Sequence, residues 1–211
     1  MKRLLFWLAG VAASLLVVLA IIFWLGLRAS LPQLDGEVSV EGLSSSVSVE
    51  RDADGIPVIT ASNRKDLAFA TGYVHGQDRF FQMDLIRRQA AGELSELVGA
   101  AAIGVDKRYR FHRFRTRAQS VWDLATDEDK SLLEVYAAGV NAGLQSLSAR
   151  PFEYFLLGGE PTPWQALDSR LVMYALYMRV NDGRASQAVG GGVALRGLAR
   201  EGVRWGGGQG W

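Results

Sequence analysis

The chemistry open to this chain of 211 residues is narrowed first by the residue types it lacks. There is no cysteine, which excludes a thiol nucleophile, a disulfide, a zinc–thiolate site and an iron–sulfur cluster. His75 and His112 are the only two histidines, so a site built on several imidazoles is excluded as well. No motif surrounds either ring. A Ser-His-Asp triad can be drawn on paper from so many Ser and Asp residues, but triads are recognised by geometry. The G-x-S-x-G, H-E-x-x-H and P-loop patterns are absent. Gly190-Gly191-Gly192 follows no strand, which makes a phosphate loop there a weak reading. The stretch from Lys107 to Arg117 interleaves Arg with Tyr109, Phe111 and Phe114, the residue types that grip a phosphate backbone. The whole chain balances 23 basic against 22 acidic residues, however. A helix with packed aromatics and solvated arginines fits better, and no nucleic-acid partner is expected. Asp78-Arg79 with Arg87-Arg88 reads as an ion-pair network. Asp84 and Arg88 stand at i,i+4, a spacing worth about 0.3–0.5 kcal/mol.

The elements that carry these side chains begin with an apolar run. Lys2 and Arg3 precede an uncharged segment from Leu4 to Leu27. As a helix it would be roughly 36 Å long, enough to span a bilayer core of about 30 Å. A cleaved signal has a shorter apolar region, and Leu27-Arg28-Ala29 is a poor cleavage site, so an uncleaved signal anchor is expected. The two N-terminal cations outnumber Arg28, which places the N-terminus in the cytoplasm and residues 30–211 on the periplasmic side of the inner membrane. The domain order expected is an anchor over 1–29, a linker over 30–46, a folded unit over 47–187 and a Gly-rich tail over 188–211.

Within the folded unit, Val47 and Val49 alternate with polar residues, and Ile56, Val58 and Ile59 form a second β-prone run. Asp54-Gly55 between them predicts a hairpin. Pro57 donates no hydrogen bond, so its strand is an edge or begins late. Asn63 caps a helix with Asp66 in its first turn. Gly76 is expected to break or bend that helix. A second helix then runs from Asp78 to Ala91 with Phe81, Leu85 and Ile86 inward and Gly92 as its C-cap. Thr126, followed by Asp127, Glu128 and Asp129, starts a helix with a stripe of Leu133, Tyr136, Val140, Leu144 and Leu147. Arg150-Pro151 ends it. Asp168 caps a last helix, from Ser169 to roughly Asn181. Its run Leu171 to Met178 is apolar all round and is therefore expected to be buried.

Several short blocks fall in a specific order. They are Val49-Glu50-Arg51-Asp52, Gly55-Ile56-Pro57-Val58-Ile59, Gly72-Tyr73-Val74, Gln77-Asp78-Arg79-Phe80-Phe81-Gln82-Met83-Asp84-Leu85 and Arg87-Arg88, Gly92-Glu93-Leu94-Ser95-Glu96, Tyr136 to Ala142, Pro151-Phe152-Glu153-Tyr154, and Pro163-Trp164 with Asp168. This arrangement, across roughly residues 47–187, resembles the start of the α-chain of the penicillin acylase (penicillin amidase) family. The resemblance implies an N-terminal-nucleophile amide hydrolase whose precursor cuts itself into an α-chain and a β-chain. The new N-terminal Ser of the β-chain is nucleophile and, through its own amine, base. Donors mainly on the β-chain hold the oxyanion.

The implied fold class is α+β: an N-terminal transmembrane helix, a short β-hairpin, then a mostly helical α-chain portion. No catalytic residue is expected in this chain, which reads as truncated and inactive without a β-chain partner. The implied substrates are small N-acyl amides of β-lactam or acyl-homoserine-lactone type. By the resemblance, acyl-pocket residues fall near Tyr177 and at Val180 or Asn181; the other reading of this helix is that it is only core. The resemblance also implies a calcium site, for which Gln187 takes the place of a Glu, with Asp182 as the substitute. A neutral Gln carbonyl ligates calcium without adding charge. The rival function is an anchored, non-catalytic fragment or binding module.

Overall fold

The computed structural model describes residues 2–181. Helix α1 (Lys2–Ala29) is the apolar run. Its Phe6–Ala29 portion is long and apolar enough to cross a bilayer, and none of it is buried against the rest of the chain. These are the properties of a membrane span or of a signal sequence. The end of α1 is not free. Ala149 N–H donates to the Ala29 carbonyl at 3.0 Å, and the adjoining Ser30 is buried with its hydroxyl on the Leu27 carbonyl.

Residues 31–46 contain neither helix nor strand. Asp66 fastens their far end. Its carboxylate accepts from Ser44 N at 2.8 Å, Ser44 Oγ at 2.8 Å, Ser45 N at 3.1 Å and Asn63 Nδ2 at 2.6 Å. The Ser44 N–H leads in holding this carboxyl below its ordinary pKa. Strands β1 (Ser48–Arg51) and β2 (Pro57–Thr60) form the expected antiparallel hairpin, with Arg51 opposite Pro57. Asp52 Oδ1 accepts from Asp54 N and Ile56 N inside the loop, and Gly55 takes φ +77° at its tip. Pro57 opens its strand, where the missing N–H costs least.

Helix α2 (Arg64–Ala91) starts at the Asn63 cap and stops at Gly92, in the left-handed region at φ 71°. The break expected at Gly76 is not there. The helix runs through Gly76 and bends at Arg79, whose φ of −141° and ψ of 19° are non-helical. Gly76 has another task. A Cβ on it would overlap the Val140 carbonyl, and one on Gly72 would overlap the Tyr136 carbonyl. Helix α6 (Asp127–Gln145) returns the fit: Gly139 lies on the Phe69 carbonyl and Gly143 on that of Tyr73. Four glycines thus let two backbones touch. The matched pairs ascend together in sequence, so α2 and α6 run parallel. A parallel pair needs a long return, supplied by α3 (Ser95–Val98), a 3-10 turn, α4 (Ile103–Arg110) and α5 (Phe114–Leu124).

The basic-aromatic stretch is therefore not one helix. It breaks at Arg113, the one non-glycine residue with positive φ (53°) among those described. Phe114 is buried and Phe111 is exposed. Thr126 caps α6 as expected, its hydroxyl accepting from Asp129 N at 3.1 Å. The helix ends at Gln145, short of Arg150-Pro151, with Ser146 Oγ turned onto the Gly143 carbonyl. The short α7 (Phe152–Leu157) follows, and α8 spans 168–181. Two apolar clusters hold the unit together. Phe80, Val140, Tyr154 and Trp164 anchor one; Ala90, Phe114, Ala118, Leu171 and Ala175 form the other.

Candidate functional site

The innermost face of α2 beyond its bend is charged. Phe81, Leu85 and Ile86, expected inward, are only partly buried. Asp84, Arg87 and Arg88 are buried, with Asp84 at 0% exposure. A lone buried charge is prohibitive, so each must be paired. Asp84 Oδ1 accepts from Arg87 Nε at 2.7 Å and Arg88 Nε at 2.9 Å, and Oδ2 accepts from the Tyr154 hydroxyl at 2.6 Å. Burial, then Asp84, pushes the Tyr154 phenol well above its ordinary pKa, so it remains a donor. The i,i+4 pair expected to be weak on a surface is instead part of a buried network.

Arg87 carries the network across to α8. Its Nη1 donates to Asp168 Oδ2 at 2.5 Å and to the Pro163 carbonyl at 3.0 Å, and its Nη2 to the Thr162 carbonyl at 2.5 Å. The guanidinium also lies 5.0 Å from the centre of the Trp164 ring. Arg88 reaches Thr162 Oγ1 at 2.9 Å and Glu96 at 3.1 Å. At the rim Arg115 forks onto Glu93, whose hydrogen bond raises the arginine's pKa, and stands 3.6 Å from Asp168. Asn141 clasps the chain just before α8: its Nδ2 donates to the Trp164 carbonyl at 2.9 Å and its Oδ1 accepts from Trp164 N at 2.7 Å. Asp168 was expected only to cap α8. It accepts from Gln165 N at 2.9 Å and receives Arg87 besides, which pins the first turn of the helix from two sides.

So held, α8 presents two faces. Leu171 and Ala175 are buried against α2 and α5, and Tyr174 stacks on Phe114 at 4.9 Å. Met173, Leu176, Tyr177 and Val180 point outward, with Tyr177 63% exposed. The expectation that Leu171–Met178 is buried all round is thus wrong. One side of the helix packs, and the other is exposed. The outward residues recur at spacings of 3, 1 and 3, one helical stripe. Tyr177 and Val180 lie in that stripe. Asn181 closes it, donating from Nδ2 to the Tyr177 carbonyl at 2.8 Å.

Elsewhere His75 Nδ1 lies 2.9 Å from the Tyr136 hydroxyl. Burial lowers the His75 pKa and pushes Tyr136 up to about 12. Both groups are therefore neutral at physiological pH. Among the described residues neither histidine is hydrogen-bonded to a Ser or Thr hydroxyl. Nor do those residues include a cluster of three or more His, Asp or Glu side chains arranged to hold a metal. Gln187 and Asp182, the expected calcium ligands, lie outside the described residues. Arg87 and Asp168 were not singled out as partners from sequence. No local pattern could join them, since 81 residues separate them.

Comparison with known proteins places this arrangement. The chain is 45% identical over 150 residues to penicillin acylase 2 proenzyme of Pseudomonas sp. (strain SE83), covering 71% of this chain and 19% of that one. It is 37% identical over 148 residues to acyl-homoserine lactone acylase QuiP of Pseudomonas aeruginosa, covering 70% and 18%. It spans about a fifth of the length of these curated relatives. The structure superposes on the thermostable penicillin G acylase of Alcaligenes faecalis with a TM-score of 0.58 and 28% identity, over 65% of this chain and 75% of that one. The shared fold is mostly helical with one small two-stranded sheet. The model of the penicillin amidase family matches residues 46–204, and the chain belongs to that family.

Proposed function

We propose that this chain is the membrane-tethered N-terminal part of an amidase that hydrolyses the linear amide bond of N-acyl compounds, of β-lactam or acyl-homoserine-lactone type. The outward stripe of α8 forms a wall of the acyl pocket. The observation that carries this reading is the contrast within α8: its base is clamped by buried ion pairs while its apolar stripe stays open. A pocket for an acyl chain needs apolar side chains on a rigid support. Met173, Leu176, Tyr177 and Val180 supply the contact, and Asn181 terminates the stripe.

Amide hydrolysis needs an activated nucleophile and donors aimed at the developing oxyanion. In this proposal a β-chain of the same precursor brings both, and this chain contributes substrate positioning. The apolar helix α1 is the tether. Trp7 and Trp24 lie about 26 Å apart along it, which suits two aromatic belts at the faces of a bilayer. Lys2 and Arg3 then remain in the cytoplasm and residues 30–211 lie outside it.

The test supplies a cognate β-chain and replaces Tyr177→Ala. Removing one apolar contact should change the ranking of short and long acyl groups by about 10-fold or more in kcat/KM. The pH profile should not move, because the base is untouched. Equal loss across all acyl groups would remove Tyr177 from the pocket. Turnover of N-acyl substrates by the purified chain alone would refute the dependence on a β-chain.

A further inference from the structure

The geometry points to α7 as a second contact with lipid: an apolar foot that lies in the bilayer interface beside the span. The inference rests on the reading of α1 as a membrane helix. It starts from the hydrogen bond between Ala149 N and the Ala29 carbonyl at 3.0 Å, which docks the end of α1 on the folded unit. Only Arg150 and Pro151 separate Ala149 from α7. Three Cα steps put the start of α7 no more than about 11 Å away, and its six residues add about 9 Å. The whole of α7 is therefore tethered close to where α1 would leave the hydrocarbon.

The side chains suit that level. Helix α7 buries Tyr154 and exposes Phe152, Phe155, Leu156 and Leu157, with Leu156 68% exposed. Four large apolar groups on a six-residue helix are costly to leave in water. The Arg150 guanidinium lies 4.5 Å from the Phe155 ring centre. Arg28 lies 5.4 Å from the ring of Trp24 in the same manner, one turn from the end of α1. A cation over an aromatic ring is at home where headgroups meet acyl chains. Lipid is favoured over a protein partner because α7 is held within reach of the span itself.

The absence of cysteine makes the test clean. Leu156→Cys, carrying an environment-sensitive fluorophore, is compared with Asp127→Cys at the far end of α6, a helix of 19 residues and so about 28 Å long. Both full-length chains are reconstituted in phosphatidylcholine vesicles, and Leu157→Cys serves as a second reporter. At Leu156 the emission should shift to the blue and fall by about twofold or more when nitroxide lipids are added, as expected for a side chain some 5–10 Å into the interface. Asp127 should not respond. A Leu156 reporter that behaves like Asp127 overturns the proposal. So does a blue shift that ignores nitroxide lipid and fades on dilution, which would assign α7 to a second copy. Alkaline carbonate extraction of the same vesicles separates the two failures. Release of the chain refutes the membrane reading of α1 and the foot with it; retention with a water-like signal refutes the foot alone.

Discussion

Asp84 receives three donors on two oxygens and sits at 0% exposure, so it has no water to fall back on. Removing its charge leaves Arg87 and Arg88 facing one another with Asp168 as the remaining enclosed acid. Breaking a buried pair in this way costs about 3–5 kcal/mol, because the survivors stay desolvated. Asp84→Asn, measured by thermal unfolding of the full chain in detergent, should therefore lose far more stability than Tyr154→Phe. The latter deletes one hydroxyl donor to a charged group, a loss of about 1.5–3 kcal/mol. Similar losses for the two variants would show that the carboxylate is not the keystone. The same residues explain why the family blocks are recognisable at all. Asp84, Arg87, Asn141, Trp164 and Asp168 all belong to blocks that resemble the family, and here they bond to one another. They build the support beneath α8, and none of their side-chain hydrogen bonds reaches Met173, Leu176, Tyr177 or Val180.

Among the elements, the seam between α2 and α6 reverses an ordinary rule. In an exposed helix, Gly→Ala is favourable by up to about 1 kcal/mol. At Gly139 the new methyl would overlap the Phe69 carbonyl, and overpacking of this kind costs about 1–3 kcal/mol. Gly139→Ala should destabilise the chain, whereas Gly104→Ala on α4, where nothing stands within 4 Å, should not. Urea midpoints of the two variants carry opposite signs if the seam is as described. This is also where reading from sequence stops. The hairpin, the Asn63 and Thr126 caps and the Gly92 stop were legible because each is settled by neighbours a few residues away. The role of Gly76 was not, since what it touches is Val140, and no local pattern distinguishes a close-packed glycine from a breaker. The open stripe of α8 was hidden for a related reason. An all-apolar run such as Leu171–Met178 says that every side wants cover, not which side has found it within the chain.

For the whole molecule, the decisive question is whether α1 stays attached. Its apolar stretch exceeds a signal peptide's, and its end is hydrogen-bonded to the folded unit through Ala149. Mass spectrometry of the membrane-bound protein should find Lys2 and Arg3 still present. A mature N-terminus near Ser30 would show that α1 is removed and that the Ala29–Ala149 bond has no place in the finished protein.

The parallel seam also sets a timetable. Gly72 meets Val140, 68 residues later in the chain. At a synthesis rate of about 5–20 residues per second, α2 emerges some 3–14 seconds before its partner exists. Throughout that interval its glycine face has nothing to close on, and Asp84, Arg87 and Arg88 have one another but neither Tyr154 nor Asp168. Neither the helical return over 92–126 nor the hairpin can substitute, because the carbonyls that meet Gly72 and Gly76 belong to Tyr136 and Val140. The waiting half-domain is thus an obligatory stage in the birth of this protein, and it is reached with the apolar helix α1 already made.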